Sequence, residues 1–183
     1  MKQAWMLACV GLLSVTACDR KAEDTTAVSP KAAQAAGDET LASGIAGDGK
    51  FAAAVKAAGL EPALAGPTPY TLLVPNDAAF AKLDPARLDA LMKPEGRKEL
   101  TAILSGHVLP GTMLAADIAK AVDAGGGKAQ IRTLGGGTVT AARNGDALVI
   151  TDAAGGTAKV VGAADERSNG IIHHIDTVLM PMK

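Results

Sequence analysis

Residues 69–83 read Pro-Tyr-Thr-Leu-Leu-Val-Pro-Asn-Asp-Ala-Ala-Phe-Ala-Lys-Leu, and the reading of this stretch decides the fold. Residues 70–74 form a short apolar, β-favouring run. Pro75 ends it, because proline cannot donate to a strand ladder, and Asn76 can accept from a backbone N–H two or three residues on and so cap a helix. The expectation is a strand that turns directly into a helix. Phe80 and Leu83 stand three apart and share one face of that helix, while Asp77 falls in its first turn, where negative charge suits the helix dipole.

Outward from this stretch, the 183 residues leave room for about one domain and an extension. A formal net charge of −1 gives no electrostatic footprint for nucleic acid, which calls for a clustered basic face. Two Phe, one Tyr and one Trp make the chain poor in aromatics, so the core has to be built from Ala, Val, Leu and Ile.

Residues 1–17 read as an export signal, with Lys2 as the positive start and an apolar run over residues 4–15 that is too short to span a bilayer. The run closes on Val15-Thr16-Ala17-Cys18, small residues before a cysteine, which resembles the bacterial lipoprotein signal. That resemblance implies a lipid on Cys18 and an anchorage in the cell envelope. Cysteine arithmetic agrees: Cys9 leaves with the signal, and the exported chain keeps Cys18 alone. Residues 18–39 then read as the lipidated cysteine and a disordered tether, polar and Ala-rich with no run that could bury a face. Coil of this length reaches roughly 25 Å on average, enough to lift a domain clear of the headgroups.

The globular part is expected over residues 40–183. Leu41, Ile45, Phe51, Val55 and Leu60 fall near helical spacing, broken at Gly47-Asp48-Gly49 and stopped at Gly59. Gly66-Pro67-Thr68-Pro69 delivers the chain into the 70–74 strand. Asp84-Pro85 opens a further helix with Leu88, Leu91 and Met92 on its apolar face; Leu100, Ile103 and Leu104 continue after a break at Pro94-Glu95-Gly96. The remainder reads as an antiparallel sheet. Residues 139–143 and 147–150 flank Asn144-Gly145-Asp146, a hairpin signal; residues 159–162 are a strand, and residues 165–168 a polar turn.

Three boxes, in this order, resemble the fasciclin domain: the strand, Pro-Asn cap and helix of residues 70–83; His107-Val108-Leu109-Pro110-Gly111; and Asn169-Gly170-Ile171-Ile172-His173-His174-Ile175-Asp176-Thr177-Val178-Leu179-Met180-Pro181. The likeness covers about residues 40–183. The family usually carries Glu at the position of Ala78 and Tyr or Asn at that of Gly106. The resemblance implies an α+β fasciclin-like domain, an antiparallel β-sheet wedge with several short helices packed against it. It also implies structural roles for Tyr70, Pro75, Asn76, Phe80, His107, His173 and Asp176. Asp117-Ile118 falls where eukaryotic relatives carry an Asp-Ile adhesion motif, which makes those two residues binding candidates; a plain helical segment explains them equally well.

Chemistry has little to start from. His107, His173 and His174 are possible metal ligands by type, but adjacent strand residues point to opposite faces, so His173 and His174 do not readily share an ion. No catalytic residue, metal or cofactor is expected: Ser43 and Ser105 lack a nucleophile elbow, and the glycine triplets 125–127 and 135–137 lack the spacing of a phosphate cradle. Two function classes remain. One is a non-catalytic, envelope-anchored binding or adhesion module, in the periplasm or at the cell surface, with a protein or glycan partner and a membrane contact through its lipid. The other is a carrier of a small apolar ligand, or an enzyme without a recognisable motif. A deep pocket with convergent polar groups would favour the second.

Overall fold

The computed structural model describes residues 39–180, Asp146 excepted. The expected signal, the Cys18 lipidation site and the tether up to residue 38 lie outside the described residues.

The chain enters through α1 (Leu41–Gly44) and a 3-10 turn (Ile45–Gly47), followed by α2 (Gly49–Ala58) and α3 (Glu61–Ala65). Gly59 ends α2 in the left-handed conformation (φ +74), and its N–H returns to the Lys56 carbonyl, a glycine stop. Strand β1 (Tyr70–Pro75) then runs into α4 (Asp77–Ala81), with the Asn76 side chain accepting from the Ala79 N–H at 2.8 Å. Asp84 caps α5 (Pro85–Met92) from the residue before its first-turn proline, accepting from the Ala86 N–H at 2.9 Å. Helix α6 (Arg97–Gly106), strand β2 (Val108–Pro110) and helix α7 (Ala115–Ala124) follow, then β3 (Lys128–Arg132), β4 (Thr138–Asn144), β5 (Ala147–Thr151), β6 (Thr157–Arg167) and β7 (Gly170–Ile175).

The seven strands form one sheet in the order β2-β1-β7-β6-β5-β4-β3. The expected antiparallel pairing holds between all neighbouring strands except one pair: β1 and β7 run parallel, from Tyr70 beside Gly170 to Pro75 beside Ile175, so the sheet is mixed. A parallel pair needs a long connection, and the whole intervening chain supplies it. The expected turn at 165–168 is corrected. Asp165, Glu166 and Arg167 continue β6 opposite Ile172, Ile171 and Gly170, past a register shift between Val161 and Asp165 where Gly162 takes φ +76.

The central strands are buried on both faces, which explains why residues 70–74 read as a continuous apolar run instead of alternating. Leu72, Val74 and Ile172 belong to a core under α1 to α6, with Phe51, Phe80, Leu91, Leu100 and Ile103. Leu73 and Ile175 face the other way into a second core with Ile118 and Val122 of α7 and Val139, Ile150 and Leu179. Asn169 staples the first layer to the sheet: its side chain accepts from Leu41 N at 2.7 Å and donates to the carbonyls of Leu64 at 2.7 Å and Gly66 at 2.6 Å. Arg167 pairs with Glu39 and Asp165, and Ser168 N donates to Glu39 O at 3.0 Å, fixing the point at which the chain enters the domain.

Candidate functional site

The boxes place His107, His173 and Asp176 in structural hydrogen bonds, while His174 is half-buried in β7. His107, at the C-terminal end of α6, is fully buried and packs edge-on to Phe51, with ring centroids 6.4 Å apart. Its Nδ1 lies 2.8 Å from the Ile103 carbonyl and its Nε2 accepts from Leu179 N at 3.0 Å. With one nitrogen donating and the other accepting, the ring is neutral. Burial pushes its pKa down to about 4, against smaller upward pulls from the Ile103 hydrogen bond and the Asp152 charge. His173 is buried in β7 and bonds the Met113 carbonyl through Nε2 at 2.8 Å, while Thr71 Oγ1 accepts from Met113 N at 2.8 Å. The two central strands thus grip one residue, Met113, of the loop before α7 by both its N–H and its carbonyl. Burial lowers the His173 pKa as well.

Asp176 accepts from Lys159 N at 2.8 Å and from the Thr177 hydroxyl at 3.1 Å. Partial burial pushes its pKa up, but these hydrogen bonds and the Lys82 charge outweigh that and hold it below its ordinary value. Tyr70 is half-buried at the start of β1, and Pro75 and Phe80 are buried. Among the described residues no group of three or more His, Cys, Asp or Glu side chains is arranged to hold a metal ion.

The Asp117-Ile118 pair divides. Asp117 is exposed, 3.7 Å from Lys120 on the same helix, but Ile118 is fully buried in the core under α7. Of the two binding candidates, Ile118 is packed in the core and Asp117 alone lies on the surface.

Two spaces remain. Inside the helical layer, Phe51, Phe80, Leu88, Leu100, Ile103 and His107 are among the residues lining a cavity of about 20 Å³. That is room for about one water, in apolar surroundings that give water too few partners. On the surface, an open groove of about 290 Å³ lies between the end of α6, the β3–β4 tip, the turn after β5 and residues 179–180. Buried Val139 and Leu179 form its apolar lining, and Asp152 is the one charged residue among those lining it. The Asp152 carboxylate is held by three backbone donors: Ala154 N at 2.9 Å and Gly156 N at 2.7 Å on Oδ1, and Met180 N at 2.8 Å on Oδ2. Thr133, also in the lining, is buried with its hydroxyl unpaired.

Gly106 is among the residues lining the groove, and a Cβ there would meet nothing within 4 Å. Beside it the β3–β4 tip is pinned to the domain by Leu134 N to Val108 O at 2.8 Å and Gly135 N to Ser105 O at 3.0 Å. Leu134 itself is 50% exposed, the one large hydrophobic residue so exposed among those described. The sequence reading noted Gly106 and the 135–137 glycines separately but missed Asp152 and Thr133. The available signal was Asp152-Ala153-Ala154-Gly155-Gly156, an aspartate poised to bond its own turn backbone.

Fold and groove together define an α+β domain whose mixed sheet buries both faces of its two central strands. The family model described as the fasciclin domain matches residues 49–181. A Synechocystis protein, sll1483, is 34% identical over 164 residues, covering 86% of this chain and 83% of its own length. The transforming growth factor-beta-induced protein ig-h3 of Sus scrofa is 36% identical over 130 residues, covering 70% of this chain and 17% of that larger protein. Among solved structures, a FAS1 domain pair from the insect cell adhesion molecule fasciclin I superimposes with a TM-score of 0.51 at 20% identity, over 74% of this chain and 42% of the other. The chain belongs to the fasciclin domain family.

Proposed function

We propose that this chain is a non-catalytic binding or adhesion module of the fasciclin family, held at a bacterial cell envelope by a lipid on Cys18 and meeting a protein or glycan partner. The observation that carries this reading is how the interior is used. His107 is buried with both ring nitrogens on backbone groups, His173 is buried and bonds a backbone carbonyl through Nε2, and the cavity in the helical layer has space for about one water. A carrier would need an apolar chamber of ligand size, so the small cavity weighs against the carrier alternative. Family membership supports the same side, since a domain pair of this fold comes from an insect cell adhesion molecule. The recognition surface is then external. The residues lining the groove include no His, Cys, Lys or Arg; its polar side chains are the Thr133 and Thr138 hydroxyls and the Asp152 carboxylate, which offer hydrogen bonding beside apolar contact.

The test is capture from envelope extract with the purified full chain, followed by reconstitution with the captured component alone. The expected result is saturable binding of one purified protein or glycan. Failure of every captured component to bind after purification would contradict the proposal.

A further inference from the structure

We propose that the groove beside Gly106 receives the side chain of a lysine from a partner protein, with Asp152 as counter-charge and Val139 and Leu179 against the aliphatic stem. This rests on the reading of the chain as a binding module and names the chemistry that the module recognises. Charge is the first argument: the lining holds one carboxylate and no cationic side chain, which favours a cation over an anion. Size is the second, because about 290 Å³ lies at the small end of ligand pockets and suits one side chain better than a whole ligand.

Geometry separates ammonium from guanidinium. Both Asp152 oxygens already accept from backbone N–H groups, two on Oδ1 and one on Oδ2, so no pair of free acceptor sites faces outward for an arginine fork. One remaining site on Oδ2 suits a point charge, which is what a lysine ammonium is. The three backbone bonds also fix the carboxylate before a ligand arrives, so little ordering is left to be done on binding. A second polar group stands in the wall: the unpaired Thr133 Oγ1 lies under Gly137, 3.5 Å from where a Cβ of that residue would be.

A glycan fits less well, because sugar faces are usually stacked on aromatic rings and none lines the groove. Leu134, exposed on the tip beside the groove, gives the partner protein an apolar contact next to the lysine site.

The experiment is an NMR titration of the isotope-labelled full chain with Nα-acetyl-lysine methylamide, with the norleucine and arginine analogues as comparisons. Expected are saturable shifts at the Gly106, Gly135, Gly136, Gly137 and Ala153 amides. The norleucine analogue, which lacks the ammonium, should bind about tenfold more weakly or worse, since a charge-assisted hydrogen bond is worth about that factor. The arginine analogue should also be weaker than lysine. Asp152→Asn disturbs a residue that ties the turn after β5 to Met180, so the deciding variant is Gly106→Tyr, which adds a large side chain to the groove lining and leaves the carboxylate in place. It should lose the titration while the remaining amide spectrum is unchanged. Absence of saturable shifts, equal binding of the norleucine or arginine analogue, or undiminished binding by Gly106→Tyr would each overturn the lysine site. If the lysine site fails while the chain still captures an envelope partner, the groove is refuted and the module reading stands.

Discussion

Acidification is expected to destabilise the domain through His107. The ordinary histidine value of 6.5 falls to about 4 in the folded state, because the ring is fully buried and both nitrogens are engaged as in the neutral form. The unfolded chain therefore binds a proton more readily than the folded one. Above about pH 6.5 both states are neutral at this ring and nothing is lost; below it stability falls by about 1.4 kcal/mol per pH unit until the folded ring also protonates. The full loss, 6.5 − 4 = 2.5 pH units, comes to about 3 kcal/mol near pH 4. His173, lowered in the same direction by burial, steepens the same window. Asp176 belongs to a lower one, because its folded pKa is below 3.8 and its contribution is lost only as the pH falls beneath that value. Asp48 acts oppositely: burial raises its pKa, so its protonation relieves the folded state. Urea unfolding at several pH values between about 7.5 and 4.5 reads the slope directly. His107→Gln cannot titrate and should show a slope smaller by about one proton, whatever its stability at neutral pH. Stability that stays flat across this range, or wild-type and variant slopes that coincide, would refute the reasoning.

Phe80→Ala should cost about 3 to 5 kcal/mol, since the ring is buried in the helical core beside an existing cavity; a melting temperature equal to wild type would show that α4 does not hold the core. Asn76→Ala removes the cap on Ala79 N and should cost about 1 kcal/mol in the same assay. Stoichiometric zinc should leave the melting temperature unchanged, and a shift of several degrees lost in His107→Ala or His173→Ala would reveal a metal site. Cys18→Ser should release the protein from the membrane fraction or leave its signal uncleaved; normal processing and membrane retention would remove the lipid from the account.

Local chemistry was legible in the sequence where one residue governs its neighbours. The Asn76 and Asp84 caps, the glycine stop at Gly59 and the hairpin from Asn144 to Ala147 each follow from turn or cap preferences acting over two to four positions. Pairing across the chain was not legible. Nothing local in residues 70–74 distinguishes a parallel neighbour from an antiparallel one, so the β1–β7 pair was missed. The polar end of β6 read as a turn because Asp165, Glu166 and Arg167 look solvated. Their backbones complete the ladder with β7, and Arg167 finds its partners in Asp165 and in Glu39 from the other end of the domain. Edge strand β3 was hidden for a similar reason, since Lys128, Gln130 and Arg132 are exposed and only Ile131 is buried.

At the groove, sequence supplied the opening and the structure supplied the charge. Gly106 stood out as a missing side chain, but Asp152 is 46 residues further on (152 − 106) and reaches the groove only because the turn after β5 meets residues 179–180. The buried Ile118 makes the complementary point. A dipeptide that looks like a recognition motif on paper loses one of its two residues to the core once the helix docks.

The claim that the domain binds through its exterior is tested most directly by in-cell photo-crosslinking of the full chain. A photoreactive residue would replace Leu134, Lys98, Asp117 or Lys128, all exposed. The account predicts a discrete adduct of higher mass in the envelope fraction, strongest at Leu134 and diminished when Gly106→Tyr is added to that photoreactive variant. Folded, membrane-associated protein that forms no adduct from any of these positions would contradict it.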